Sequence, residues 1–94
     1  MVPRGKKTIA SEILKDLEDY RDEEGNFLVL YDFTRRATST FYTNLKTIRN
    51  ELQDGVRIQK SAMNCKRLLT AQAIKKLAEH YKANVLLFRI ESLE

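Results

Sequence analysis

The chain has one cysteine and one histidine. Cys65 therefore has no internal disulfide partner, and with His80 it makes no metal-ligand spacing, which argues against a zinc site. No apolar run approaches the roughly 18 to 20 residues needed to span a bilayer, and the N-terminus lacks the apolar core of a signal peptide. A cytoplasmic location is the expectation. Charged residues make up 32% and apolar ones 43% of the chain, a balance that suits a folded protein and not a disordered one. Length removes a further option: 94 residues hold one domain with a modest core, which gains from oligomerising.

What charge there is lies unevenly. Residues 1–26 carry 5 Lys+Arg against 7 Asp+Glu, net −2, and the remaining 68 carry 12 against 6, net +6. The basic character thus belongs to residues 27–94. A basic domain attracts polyanions such as RNA or DNA, although an excess of this size also occurs on surfaces that bind nothing.

Phe27-Leu28-Val29-Leu30-Tyr31-Asp32-Phe33 is a short apolar run bounded by Gly25-Asn26 and Thr34-Arg35-Arg36, the pattern of a strand covered on both faces. Alternation puts Leu28, Leu30 and Asp32 on one face and Phe27, Val29, Tyr31 and Phe33 on the other. Ahead of it, Ile9, Ile13, Leu14, Leu17 and Tyr20 are spaced for one face of a helix of about four turns, so residues 1–26 read as an N-terminal extension with an amphipathic helix. Asp22-Glu23-Glu24 reads as a solvated acidic cluster, and Met1 to Lys7 is assigned no function.

After the strand, Thr38-Ser39-Thr40 offers a helix N-cap, and Phe41, Leu45, Ile48 and Leu52 make a core-facing stripe. Asp54-Gly55 ends that helix, and a half-exposed strand begins at Val56. Asn64 to Arg67 is a turn or another short strand. A second core-facing helix carries Leu69, Ala73, Ile74, Leu77, Ala78 and Tyr81 with a cap near Thr70, and Val85 to Ile90 is a last apolar strand. Repeated strand-helix-strand units predict an α+β, ferredoxin-like βαββαβ antiparallel sheet with two helices on one face over residues 27–94, plus the extra N-terminal helix. Two helices cover one face only. The other must be covered by the N-terminal helix, by a second subunit, or by both.

Three stretches resemble the CRISPR-associated spacer-acquisition endoribonuclease family, the small partner of the CRISPR integrase, and its stand-alone relative, virulence-associated protein D. Leu28-Val29-Leu30-Tyr31-Asp32-Phe33 is similar to that family's first strand, Arg35 and Arg36 follow where it often has basic residues, and Gly55 to Met63 is similar to its second strand. The likeness covers about residues 27 to 91. The family often has Arg-hydrophobic-Gln with a Ser two places on, here Arg57-Ile58-Gln59 and Ser61, and where it usually continues with an aromatic, an acidic residue and glycine this chain has Met63, Asn64 and Cys65. The resemblance implies a homodimer whose open sheet faces meet, an integrase-type partner, and a divalent metal, Mg²⁺ or Mn²⁺, held by Asp32 and its symmetry mate.

Phosphodiester hydrolysis needs an activated water and positive charge beside the developing oxyanion, which such an ion supplies through carboxylate ligands. One Asp per chain is too few, and two related by a two-fold axis would make catalysis depend on dimerisation. The competing reading has Asp32 accepting backbone N–H bonds in the loop that follows. Arg35, Arg36, Arg57, Lys60, Lys66 and Arg67 fall in loops or on polar strand positions, where they meet phosphates or simply solvent. Lys46, Arg49, Lys75, Lys76 and Lys82 lie on outward helix faces and read as solubilising. Three functions stay open: a metal-dependent endonuclease of low sequence specificity, a non-catalytic scaffold binding nucleic acid or a protein, and an assembly or regulatory module without nucleic acid.

Overall fold

The computed structural model describes residues 8–35 and 38–91. Three helices and four strands follow one another as α1 (Ile9–Asp16), β1 (Glu24–Phe33), α2 (Ser39–Leu52), β2 (Val56–Gln59), β3 (Ala62–Arg67), α3 (Leu68–His80) and β4 (Ala83–Ile90). The strands make one open antiparallel sheet in the order β2-β3-β1-β4, a small α+β architecture. No helix among the described residues is long and apolar enough to cross a membrane.

β1 takes a central place because it is apolar on both faces. Phe27, Val29 and Tyr31 are buried on the helix side. Helix α3 lies directly against β1, β3 and β4, and its Ala71, Ala73 and Ala78 let it approach while Ile74 and Leu77 fill the space between. Helix α2 contributes Phe41, Leu45 and Ile48, as its stripe predicts. The Phe41 ring meets Tyr31, Phe33, Tyr42 and Tyr81 at centroid distances of 4.9 to 5.8 Å, in tilted or edge-on geometries favoured by the ring quadrupoles.

The cap of α2 is the expected one: Thr38 Oγ1 accepts the Phe41 N–H at 3.3 Å. The helix ends through Gln53 in the left-handed region (φ 54°) and Gly55 at φ 101°. A β carbon at Gly55 would stand 3.2 Å from Arg49 Cγ, so both backbone and packing demand glycine there. Between them the Asp54 carboxylate accepts N–H groups of Gly55, Lys66 and Arg67 at 2.8 to 3.0 Å, tying this turn to the end of β3.

Three expectations need correction, and one left open is decided. Helix α1 has two turns and not four, because beyond Asp16 the carboxylates of Glu18 and Asp19 would join it at a helix C-terminus that repels negative charge. Of the two alternatives open for residues 64–67, the strand is the one that forms, over Ala62–Arg67. Thr70 does not cap α3; its buried hydroxyl has no partner among the described residues. The cap comes instead from the acidic cluster, which is not merely solvated. Asp22 accepts the Leu69 N–H at 3.0 Å and pairs with Arg67 Nε at 2.7 Å, the Glu23 carbonyl accepts the Leu68 N–H at 2.7 Å, and the Glu23 carboxylate pairs with Arg89.

Helix α1 decides which face of the sheet is covered. Thr8 and Ser11 form a capping box at its start, and Ala10, Ile13 and Leu17 are buried against α2 and α3. Asn44 joins the three helices, accepting the Ala10 N–H at 3.1 Å and donating to the Thr40 carbonyl at 2.9 Å and the Tyr81 hydroxyl at 3.3 Å. No strand touches α1. All three helices therefore serve the same side.

Candidate functional site

No helix or loop among the described residues covers the second face of the sheet. Val56, Asn64, Leu28 and Phe88 lie in one row across the four strands, and Ala62, Leu30 and Leu86 in the next. Val56 is 59% exposed, Leu86 58%, Phe88 46% and Ile58 41%. Strands spaced about 4.8 Å, about six residues long at about 3.3 Å each, present roughly 400 Å² in projection, the size at which an apolar patch on a monomer is often functional. Asn64 sits in the middle of the first row, buried, with its Oδ1 unpartnered among the described residues. Two ionisable groups mark opposite ends of the face. Asp32 stands across from Asn84, and Lys66 reaches Asn26 Oδ1 with its ammonium at 2.7 Å.

Asp32 is exposed and borders a recess of about 640 Å³ with Leu30, Gln59, Ser61, Asn84 and Leu86. No described residue donates a hydrogen bond to its carboxylate, and Arg36, one of the donors in the loop-capping alternative, lies outside the described residues. A divalent-metal site needs more than this chain supplies by itself. Among the described residues no three His, Cys, Asp or Glu side chains gather into a ligand set, and the other residues lining the recess are neutral: amides, hydroxyls and apolar side chains. One chain alone does not fit Mg²⁺ or Mn²⁺.

The basic candidates are distributed around the molecule. Arg35 is exposed just after β1, and Lys60 is exposed in the β2–β3 turn, at the same end as Asp32. Arg36 lies outside the described residues. Lys66 and Arg67 are at the opposite end, and Arg67 is engaged twice, with Asp22 and with the Leu52 carbonyl. Arg57 is on the helix side of β2, its guanidinium carbon 5.6 Å from the Tyr42 ring centroid and one nitrogen donating to the Lys60 carbonyl.

A second set was not seen as one group in the sequence, which reads Lys46 and Arg49 as solubilising and Tyr42 as a core aromatic with base stacking as its alternative. Tyr42, Lys46 and Arg49 form an i, i+4, i+7 stripe on α2 beside the core stripe, and with Gln53 just past the end of the helix they face β2 across a cleft of about 700 Å³. Their spacing was visible; that it overlooks an edge strand was not. Cys65 and Tyr31 are core residues. Burial, and after it the Asp54 charge, pushes the Cys65 thiol up to about 12, which leaves it unreactive. Burial likewise raises the Tyr31 phenol, against the opposing charges of Arg57 and Arg49.

No family model, curated protein or solved structure matches this chain.

Proposed function

We propose that this chain is a ferredoxin-like module that pairs with a second copy of itself through the open sheet face and binds nucleic-acid backbones as a homodimer. The observation that carries the reading is the bare apolar face: α1, which among the described elements was the candidate to cover it, lies on the helices instead. The alternation of strands and helices and the central position of β1 support the ferredoxin-like plan. The excess of positive charge after residue 26 supports a polyanionic ligand. Sedimentation equilibrium tests the pairing, and titration with labelled RNA and DNA at several salt concentrations tests the binding, which should weaken steeply with salt. A monomer at all accessible concentrations, or an affinity indifferent to salt, would count against it.

One further observation favours a second reading, cleavage assisted by Mg²⁺ or Mn²⁺. Asp32 lies exposed on the same face that would meet the partner, so a suitable two-fold would bring two carboxylates to one ion. The resemblance to the CRISPR spacer-acquisition endoribonucleases points the same way and adds an integrase-type protein as a partner. The comparison is RNA and DNA cleavage with either ion by the wild type and by Asp32→Asn. Turnover unchanged by the substitution removes Asp32 from the mechanism.

A further inference from the structure

We infer that the cleft between α2 and the edge strand β2 is where single-stranded nucleic acid lies, its phosphates on Lys46, Arg49 and Arg57 and a base against Tyr42. This rests on the nucleic-acid reading above and gives it a location. Three basic residues among the described ones form ion pairs: Arg67 with Asp22, Arg89 with Glu23 and Lys75 with Glu79. Lys46, Arg49 and Arg57 have no such pair among the described residues, yet all three line one cleft. The acid that shares it, Asp54, spends both oxygens on the N–H groups of Gly55, Lys66 and Arg67. Lys46, Arg49, Arg57 and Lys66 thus face a single carboxylate, Asp54, and the cleft keeps a net positive charge open to an anion from solution.

Two of the three cations are held in place. Arg49 donates through Nε to the Gly55 carbonyl at 3.0 Å, which leaves both terminal nitrogens of its fork free for a phosphate. Arg57 is held over the Tyr42 ring and bonds the Lys60 carbonyl through one terminal nitrogen at 3.2 Å. Guanidinium groups fixed in this way lose less side-chain freedom on binding than free lysines do. Lys46 is exposed one turn before Arg49 and adds a mobile third charge. Tyr42 is half-buried at the same wall, where an aromatic ring beside cations provides the stacking surface that sequence-tolerant single-strand binders use.

The test is fluorescence anisotropy with 5′-labelled mixed-sequence 12-mers, single-stranded RNA and DNA in parallel, from 50 to 300 mM salt. Lys46→Glu and Arg57→Glu are compared with Lys76→Glu, which makes the same charge change on α3 beside Tyr20. Lys46→Glu and Arg57→Glu should each weaken binding about tenfold or more and lower the salt slope by about one. Tyr42→Leu should weaken it about tenfold with the slope unchanged, and Lys76→Glu should stay within about twofold of the wild type. Arg57→Gln guards against misfolding of the glutamate variant, and thermal melts are recorded for all. Equal weakening by all three reversals would reduce the effect to net charge and overturn the inference. Loss of binding on Arg35→Glu and Lys60→Glu, with the cleft variants unaffected, would also overturn it while leaving nucleic-acid binding intact. No binding by the wild type at 50 mM salt would remove both.

Discussion

Truncating Leu86 to alanine should loosen self-association while leaving the folded monomer largely intact. Burying a leucine side chain completely is worth about 1.5–3 kcal/mol relative to exposing it. Leu86 is 58% exposed in the monomer, so slightly more than half of that gain is still available to an interface. Alanine keeps the β carbon, which leaves about 1 kcal/mol lost per copy, and a two-fold interface uses the position twice. A loss of about 2 kcal/mol corresponds to a dimer dissociation constant raised roughly 25- to 30-fold. Sedimentation equilibrium over a hundredfold range of concentration resolves such a change. Urea unfolding below the dissociation constant should show the monomer destabilised by about 1 kcal/mol or less, the value of the part already covered. A dimer that persists with its dissociation constant moved less than threefold would refute the reasoning, because the contact would then lie on another surface.

Three further outcomes follow from the fold. Burial alone would raise the Asp22 carboxyl, but hydrogen bonds from the Leu69 N–H, the Arg67 side chain and the Glu23 N–H outweigh it and hold the group below its usual value. Its stabilising contribution is therefore present above the unfolded value near 3.9 and lost as pH falls through the lower folded one. Asp22→Ala should cost about 1–2 kcal/mol at pH 7 through the lost α3 cap, with the gap to wild type shrinking below pH 4; an equal gap at pH 7 and pH 3 would contradict the assignment. Gly55→Ala should cost about 1–3 kcal/mol in urea unfolding, since alanine resists a positive φ and its β carbon crowds Arg49. Cys65 should resist a maleimide at pH 8 in the native state and react fully in denaturant, whereas rapid native labelling would show that the core around it opens.

The elements that could be read from the sequence are those fixed by nearby residues. The two faces of β1, the Phe41-Leu45-Ile48 stripe and the Thr38 cap depend on neighbours within a few positions, and they stand where the spacing puts them. The capping of α3 does not. Asp22 meets Leu69 from 47 residues away, and no local pattern announces that partnership. The β2–β3 hairpin was obscured for a different reason: its turn is Lys60-Ser61, without the Gly, Asn or Asp that usually marks a two-residue loop. The need for cover over the second sheet face followed from the apolar run at Leu28 and Leu30, but which element leaves it bare depended on where α1 docks. Lys46 and Arg49 look like solubilising charges until β2 is known to be an edge strand.

The pairing of β1 with β4 also bears on how this protein is made. Asn26 lies opposite Ile90, so the central strand waits for the last of the four to leave the ribosome before its second edge is satisfied. Until then a flat, greasy ribbon is open to strangers. A message cut short ahead of Ala83 would yield that species permanently, so such fragments should be recovered as insoluble material or degraded early.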